Sequence, residues 1–302
     1  MSDGKRIEIG GVSLSSPDKP LFARPAVTKV DLARHYERVA VRMLPQVKNR
    51  LVSLVRCPDG QENPCFFQRH GGKGFPDAIG RMDITEKDGG KDEYLYVSDL
   101  SAVVAAVQMS ALELHIWGSR TDRLENPDRL VFDLDPDEEL GFASVRDAAF
   151  EVRDRLRALE LDTVPLVTGG KGIHVVAPLE RRADWAVVKD FARAFAERLA
   201  EDAPERFVAQ ASKAKREGRV FIDWLRNERS ATAIAPYSTR ARDGAPVATP
   251  VSWEELSGLT AANGFHLGDM AERLAAPDPW ADSGGWRQSI TRAMLTAVGA
   301  DT

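Results

Sequence analysis

The chain has 302 residues, of which 43% are hydrophobic and 29% are charged, with a net charge of −5 at pH 7. That length can form one large α/β domain or two smaller lobes. No apolar run approaches the roughly 20 residues that cross a bilayer, and the N-terminus lacks the apolar core of a signal peptide, so we expect no membrane association. Two cysteines are too few for a disulfide framework, which favours a reducing cytoplasm.

Hydrophobic periodicity predicts a mixture of helices and strands. The predicted helices cover about 28–43, 99–109, 143–159 and 184–199. The predicted strands cover about 6–9, 51–55, 112–117, 131–135, 164–168, 173–177 and 220–225. We predict an irregular loop over 57–80 and a helical or irregular C-terminal part over 252–302. Because strands alternate with helices only loosely, the pattern favours a mixed sheet and not a strictly parallel one.

Two carboxylates interrupt the predicted buried strand Val131–Asp135. Side chains two residues apart on a strand share a face, so Asp133 and Asp135 would repel each other unless a positive charge lies between them. Asp223 lies in a second apolar strand, where a lone charge is unfavourable. Together the three carboxylates would form an oxygen-rich site suited to Mg²⁺ or Mn²⁺. The alternatives are a helix N-cap at Asp135 and an ion pair with Arg226.

The run Thr168–His174 places three glycines between strand-like residues. Glycines let the backbone approach a phosphate closely, and Thr168, Lys171 and His174 can donate hydrogen bonds to it. The alternative is a glycine-rich hairpin with an incidental lysine and a core histidine.

Basic residues are concentrated between Lys213 and Arg242, where eight lysines and arginines stand against three acids, a local excess of five positive charges. Such a field attracts polyanions whatever the net charge of the chain, although a solvated surface is the usual meaning of a charge run. Arg226 follows Asp223 closely, and Arg240 and Arg242 would share a face of an extended segment. Arginines beside a carboxylate metal site are suited to a triphosphate.

Two aromatic residues, Phe66 and Phe67, are followed by polar and basic side chains in the predicted loop. Exposed aromatic side chains among basic residues can stack on a nucleotide base. The alternative is a loop that two phenylalanines anchor in the core.

Four ordered segments resemble the polymerase domain of bacterial ligase D, a member of the archaeo-eukaryotic primase superfamily that acts in non-homologous end joining. The segments are Asp133–Asp135, Thr168–His174, Phe221–Asn227 and Ala235–Arg242. The similarity extends over essentially the whole chain. It implies a single α/β domain with a mixed-sheet primase-polymerase fold, an RRM-like catalytic core at about 101–302 and a DNA-facing N-terminal subregion at about 1–100.

The resemblance implies a role for individual residues. Metal ligation is implied for Asp133, Asp135 and Asp223. Nucleotide contacts are implied for Thr168, Lys171, His174, His115, Arg240 and Phe67. Contacts with DNA or its 5′-phosphate are implied for Lys19, Lys29 and Phe66, and a supporting role for Arg216, Arg226 and Arg242. For Lys29, which follows Thr28 at a predicted helix start, free backbone N–H groups would add to the attraction for an anion.

The activity implied by the resemblance is template-directed nucleotide addition, which fills gaps and extends 3′ ends at double-strand breaks. It implies two Mn²⁺ or Mg²⁺ ions, NTP or dNTP substrates with a preference for ribonucleotides, and a place in the cytoplasm at the nucleoid. Implied partners are DNA with a 5′-phosphate, bacterial Ku and a DNA ligase module. The sequence has no Lys-x-Asp-Gly adenylation motif, so we expect a stand-alone polymerase or an excised domain.

Two other functions are compatible with parts of this pattern. One is a non-catalytic module that binds DNA ends, although such a module would not need the three aspartates. The other is a two-metal phosphodiesterase, which would not need the glycine-rich segment with Lys171 and His174.

Overall fold

The computed structural model describes residues 6–72, 74–86 and 89–300. The strands of this part are β1 (Arg6–Ile9), β2 (Val12–Ser15), β3 (Pro20–Phe22), β4 (Val27–Thr28), β5 (Arg50–Arg56), β6 (Phe66–Gln68), β7 (Gly80–Thr85), β8 (Lys91–Val97), β9 (Ala111–Trp117), β10 (Arg129–Pro136), β11 (Val164–Val167), β12 (Ile173–Pro178), β13 (Phe207–Val208), β14 (Val220–Asp223), β15 (Thr232–Ile234) and β16 (Thr249–Pro250). Its α-helices are α1 (Lys29–Val47), α2 (Leu100–Gln108), α3 (Phe142–Ala158), α4 (Trp185–Asp202), α5 (Trp253–Gly258), α6 (Met270–Ala275) and α7 (Arg292–Val298).

The chain divides into two compact units, each assembled from three segments. Unit 1 comprises Met1–Trp117, Ile234–Ala248 and Phe265–Pro277, and unit 2 comprises Gly118–Ala233, Thr249–Gly264 and Asp278–Thr302. The predicted subregion at about 1–100 falls within unit 1, which continues to Trp117 and includes two later segments. Unit 1 therefore includes segments that are distant in sequence. Patterns within short stretches of sequence cannot predict that these segments pack together.

Unit 2 contains a six-stranded sheet in the order β13-β14-β10-β12-β11-β16. Its four central strands follow the chain order β10, α3, β11, β12, α4, β14, and each central pair is antiparallel. A β-α-β-β-α-β chain in this order is the split arrangement that ferredoxin-like and RRM sheets share. The prediction of a mixed α/β fold with an RRM-like sheet is therefore confirmed.

The two faces of β10 carry different kinds of side chain. Phe132 packs on Phe195 of α4, with ring centroids 4.9 Å apart, so one face of the strand is directed at the helices. Because side chains alternate along a strand, Asp133 and Asp135 are directed at the opposite face. The apolar face fixes the register of the strand and thereby the position of the carboxylates.

Unit 1 contains a second sheet, in which β9, β5, β8 and β7 are neighbours and β6 pairs with one end of β5. Helix α1 buries Leu32, Tyr36 and Val39 in the core of this unit. The predicted strand at about 6–9 is present as β1, which pairs with β2 so that Ile9 lies opposite Val12.

The structure corrects several predicted boundaries. Helix α1 continues past the predicted end near residue 43 and includes Pro45. Strand β6 lies inside the predicted loop. The β7–β8 hairpin was not predicted, because its few buried apolar residues lie among charged ones. Strand β14 ends at Asp223, two residues before the predicted end, because Trp224 leads into a 3₁₀ turn.

A disulfide joins Cys57 and Cys65, which the low cysteine count did not lead us to predict. The two residues enclose the segment that leads to β6. Within the described part of the chain, none of the helices has both the length and the apolar composition that a bilayer crossing requires.

Candidate active site

The carboxylates of Asp133, Asp135 and Asp223 lie on adjacent strands of unit 2. Asp133 is paired with Asp223 in the register of β10 and β14. A Cβ atom placed on Gly172 would lie 3.5 Å from Oδ1 of Asp133 and 3.4 Å from Oδ1 of Asp135. Both carboxylates therefore reach the same glycine and share one face of β10, as their spacing predicts.

The guanidinium of Arg226 lies between the carboxylates of Asp133 and Asp223. Its Nη2 lies 3.0 Å from Oδ2 of Asp133 and 3.1 Å from Oδ2 of Asp223. On the other side of Asp133, Nε2 of His174 lies 3.4 Å from Oδ1. The ion pair with Arg226, which the sequence left as an alternative, is present in this structure. The N-cap alternative is wrong, because α3 begins after Gly141 and not at Asp135.

Charge compensation differs between the three carboxyl groups. Burial opposes ionisation of Asp133, but the charges and hydrogen bonds of His174 and Arg226 lower its pKa well below the usual range. For Asp135, burial and the neighbouring Asp133 carboxylate raise the pKa to about 6. Burial also raises the pKa of Asp223, although Arg226 opposes that shift. Asp135 is thus the carboxyl group that most needs a further cation.

The donor set is suited to a divalent cation, but its arrangement includes a competitor. Carboxylate oxygens are the ligands that Mg²⁺ and Mn²⁺ prefer. Among the described residues there is no group of three or more acidic, histidine or cysteine side chains spaced to hold a metal, and here Arg226 lies between Asp133 and Asp223. A cation at these carboxylates would therefore compete with the guanidinium.

The turn that carries Arg226 is fixed to β10 by Asn227. The Asn227 side chain is buried, accepts a 2.7 Å hydrogen bond from the backbone N–H of Val131 and donates one of 2.7 Å to its carbonyl. Oδ1 of Asp223 accepts a 3.0 Å hydrogen bond from the N–H of Leu225. These contacts keep the turn after β14 beside the carboxylates.

The glycine-rich segment forms the turn between β11 and β12. A Cβ at Gly172 would lie 2.6 Å from the carbonyl oxygen of Leu134, so only glycine lets this turn lie against β10. The N–H and the hydroxyl of Thr168 both donate to the carbonyl of Gly172, at 3.2 and 2.9 Å. Thr168 therefore organises the turn, and its contact with a phosphate stays a prediction. Lys171 is exposed and His174 is buried.

The N-terminus of α1 in unit 1 does not offer free N–H groups. The N–H of Thr28 donates to Oδ2 of Asp31 at 3.0 Å, and the N–H of Asp31 donates to the Thr28 hydroxyl. The N–H groups of Lys29 and Val30 donate to the carbonyls of Lys19 and Pro17, at 2.9 and 3.0 Å. The predicted contribution of free backbone donors to an anion site is therefore wrong, because the capping box and the preceding loop use them.

The ammonium groups of Lys19 and Lys29 remain candidates for an anion site. Lys29 is buried, and its Nζ donates to the carbonyls of Ser15 at 3.0 Å and Gln108 at 3.4 Å. Nζ of Lys19 donates to the carbonyl of Pro58. Burial and then the charge of Lys19 lower the pKa of Lys29. Two ammonium groups that repel each other would both be stabilised by an anion.

Phe66 and Phe67 lie on β6 and are 46% and 71% exposed, so the alternative of a loop anchored in the core is wrong. The guanidinium of Arg56 lies 5.4 Å from the ring centroid of Phe66. The ring of Phe67 meets the imidazole of His115 edge-on, with centroids 5.6 Å apart. Both rings are therefore accessible to a ligand and are supported by neighbouring side chains.

His115 and Arg240 converge on a buried carboxylate in unit 1. Nε2 of His115 lies 2.7 Å, and Nε of Arg240 3.1 Å, from Oε2 of Glu113. The N–H of Arg242 donates to the carbonyl of Arg240, so this segment turns and does not extend as we predicted. Arg242 is exposed. In unit 2, the guanidinium of Arg216 lies 3.9 Å from the ring centroid of Phe221 on β14.

Known proteins resemble the chain in sequence and structure. The family described as "LigD, primase-polymerase domain" matches residues 28–280. The multifunctional non-homologous end joining protein LigD of Pseudomonas aeruginosa is 40% identical over 297 residues, which are 97% of this chain and 35% of that protein. The chain belongs to the LigD primase-polymerase domain family.

Further comparisons agree with this membership. The LigD protein of Mycolicibacterium smegmatis is 33% identical over 248 residues, which are 82% of this chain and 32% of the relative. A structure of the polymerase domain from Mycobacterium tuberculosis ligase D in complex with DNA matches with a TM-score of 0.83 and 30% identity, covering 90% of this chain and 96% of that one. The chain spans 32–42% of the length of the curated LigD relatives it matches.

Family membership does not assign a role to single residues, and two polar residues beside the candidate sites escaped the sequence analysis. Asn227 was noticed only as part of a motif, and Glu113 only as a member of an alternating strand. Each places a polar side chain in a buried position, where an unpartnered group would be unfavourable. A polar residue at a predicted buried position therefore indicates that a partner exists. It does not identify the partner, which comes from a distant part of the chain.

Proposed function

We propose that this chain is a metal-dependent, template-directed nucleotidyltransferase that fills gaps and extends 3′ ends at DNA double-strand breaks. The observation that carries the proposal is the pairing of Asp133 with Asp223 across β10 and β14, with Asp135 on the same face. Family membership supports the same activity. Because the chain spans only part of its relatives' length, the activity of those whole proteins is only a proposal for this chain.

Asp133, Asp135 and Asp223 would hold one or two Mg²⁺ or Mn²⁺ ions. Bound there, such ions supply Lewis-acid stabilisation of the attacking and leaving oxygens of a phosphoryl transfer. The raised pKa of Asp135 supports this assignment, since its carboxylate lacks compensation that Asp133 has.

Arg226 and His174 would hold the site together before substrate binds. Arg226 keeps two carboxylates from repelling each other, and it can turn toward a triphosphate when a cation replaces it, because guanidinium groups bind phosphate well. His174 lies beside Asp133, and Lys171 at the turn is an exposed positive charge suited to phosphate oxygens. Gly172 keeps the turn close enough for both to act at the carboxylates.

The residues of unit 1 would bind the nucleic acid and the nucleotide. Phe66 and Phe67 expose ring faces that can stack on bases. Lys19 and Lys29 would attract a 5′-phosphate, and His115 and Arg240 would contact the nucleotide. A preference for ribonucleotides, cooperation with bacterial Ku and a DNA ligase module, and a location at the nucleoid complete the proposal.

One experiment separates this function from its two alternatives. The protein is incubated with a 5′-phosphorylated gapped duplex and nucleotides, with Mn²⁺, with Mg²⁺ or with a chelator. We expect the primer strand to lengthen by template-matched nucleotides only when a divalent cation is present. Binding without extension would favour a DNA-end-binding module, and a shortened strand would favour a phosphodiesterase.

A further inference from the structure

Glu113 on β9 is a buried carboxylate in unit 1 that takes part in two hydrogen bonds and an ion pair with Arg240. His115 Nε2 lies 2.7 Å from its Oε2, and Arg240 Nε lies 3.1 Å from the same oxygen. The backbone N–H of Ala241 donates to Oε1 at 2.8 Å. Glu113 is 6% exposed, so all three groups meet it away from bulk water. A carboxylate satisfied in this way forms strong, charge-assisted contacts.

The contacts determine where a proton lies on His115. Burial opposes ionisation of Glu113, but the hydrogen bond from His115 and the charges of Arg240 and His115 lower its pKa to about 2. An ionised carboxylate can only accept, so Nε2 of His115 must carry a hydrogen atom. Glu113 thereby excludes the neutral tautomer of His115 in which Nε2 carries no hydrogen atom.

The imidazole of His115 also contacts the ring of Phe67, so its orientation affects the position of that ring. The ring of His115 meets the ring of Phe67 edge-on at 5.6 Å between centroids, and Phe67 is 71% exposed. Strand β9 carries Glu113 and His115 two residues apart, hence on the same face. One buried carboxylate is therefore linked directly to His115 and Arg240, and through His115 to an exposed aromatic ring.

We propose that Glu113 is a positioning residue, which holds His115 and Arg240 in the orientation that receives a nucleotide. The inference rests on the proposed function, because that function assigns nucleotide contacts to His115 and Arg240. Glu113 itself acts through these two side chains. The Glu113→Gln variant removes the negative charge and replaces one acceptor oxygen by an NH₂ group, so at least one of the three groups that contact Glu113 would face a donor.

The first test reads the proton directly and does not depend on activity. Nitrogen NMR of the histidine side chains in the intact wild-type protein, with the His115 signals assigned by loss in His115→Gln, reports whether Nε2 is protonated. We expect a protonated Nε2 in the wild type and an altered signal in Glu113→Gln. An unprotonated Nε2 in the wild type overturns the inference.

The second test measures kinetics with ATP or dATP on a gapped duplex whose templating base is thymine. For Glu113→Gln we expect the nucleotide KM to rise by about tenfold or more, as for the loss of a charge-assisted contact, while kcat changes much less. In a protein that already carries His115→Gln, adding Glu113→Gln should raise the nucleotide KM much less, because the two residues act together. An unchanged KM in a folded Glu113→Gln protein overturns the inference.

The matched control is Glu151→Gln, which removes another carboxylate that accepts from two arginines, Arg155 at 3.0 Å and Arg206 at 2.6 Å. It should leave both readouts unchanged, and a rise in KM equal to that of Glu113→Gln would overturn a specific role. If the wild type adds no nucleotide, the proposed function fails, and the nitrogen spectrum alone then decides the position of the proton.

Discussion

Asp133 and Asp223 are paired across neighbouring antiparallel strands, and one guanidinium, that of Arg226, contacts both carboxylates. The register that brings the two acids together therefore also lets a single cation neutralise them. Asp135 shares the face but not this degree of compensation, as its raised pKa indicates. The protein itself thus neutralises part of the negative charge of the three carboxylates, and an added cation would neutralise the rest.

Replacing Arg226 tests the role of the guanidinium as a competitor of metal. We expect Arg226→Gln to lower the unfolding free energy of the metal-free protein by about 2 kcal/mol. This is less than for a fully buried pair, because the Arg226 side chain is 34% exposed. We expect added Mn²⁺ to recover most of the loss, which is measured by urea unfolding with Mn²⁺ or with a chelator.

The control for this comparison is Arg157→Gln, which breaks an exposed contact with Asp162. Surface ion pairs contribute about 0–1 kcal/mol, so its effect should be small and independent of metal. A loss in Arg226→Gln that Mn²⁺ does not reduce would contradict competition between guanidinium and metal.

Phe67 is expected to bind bases and to contribute little to stability. Its ring is 71% exposed, so Phe67→Ala should leave thermal unfolding almost unchanged. Stacking on a base contributes about 1–3 kcal/mol, so affinity for a gapped duplex with nucleotide should fall by about tenfold. Val41→Ala removes a similarly exposed apolar side chain, at 76%, and serves as the control. Equal affinities of the two variants would remove the stacking role.

The sequence predicted the elements whose periodicity is strong and local. The strand with Asp133 and Asp135 and the glycine-rich hairpin were recognised, because apolar alternation and glycine spacing are visible in short windows. The Arg226 ion pair could only be left as an alternative, since its choice depends on the register of β10 against β14. Register depends on residues that are distant in sequence. The buried contacts of Asn227 and Glu113 could not be predicted for the same reason.

The helix start at Thr28 shows how a correct local prediction gave a wrong inference. The start of α1 was predicted correctly, but Asp31 and the loop before the helix use the backbone donors that we expected to be free. An unpaired N–H group at a predicted helix start is therefore a weak argument for an anion site until the preceding loop is known.

Lys19 and Lys29 should respond differently to substitution. Lys29 is buried and donates to two backbone carbonyls, so Lys29→Met should lower stability by about 1–2 kcal/mol through the lost hydrogen bonds. Lys19 is only partly buried, so Lys19→Ala should keep the fold and reduce the preference for a 5′-phosphorylated gap by about tenfold. Binding to gapped duplexes with and without the phosphate is compared, with exposed Lys48→Ala as control. A wild type that binds both gaps equally would contradict the phosphate site.

His35 predicts a pH dependence of stability in unit 1. Burial lowers its pKa to about 4, although the hydrogen bond with the Tyr237 carbonyl opposes the shift. In the unfolded chain the pKa is about 6.5, so between these values the unfolded state binds a proton that the folded state does not. The unfolding free energy should therefore fall as the pH falls, by about 2 kcal/mol at pH 5 relative to pH 7. His35→Gln should show a smaller fall over this range in urea unfolding, and equal slopes would contradict the assignment.

The most direct test of the proposed activity compares Asp135→Asn with Asp137→Asn in primer extension across a 5′-phosphorylated gap with Mn²⁺. Both variants replace a carboxylate by an amide of nearly the same shape, but Asp137 contacts the backbone N–H of Gly218 at 3.0 Å and has no proposed role with metal. We expect Asp135→Asn to lose at least about a thousandfold in rate, as when an electrostatic stabiliser of the transition state is removed, and Asp137→Asn to remain close to the wild type. Wild-type extension by a correctly folded Asp135→Asn protein would contradict the account.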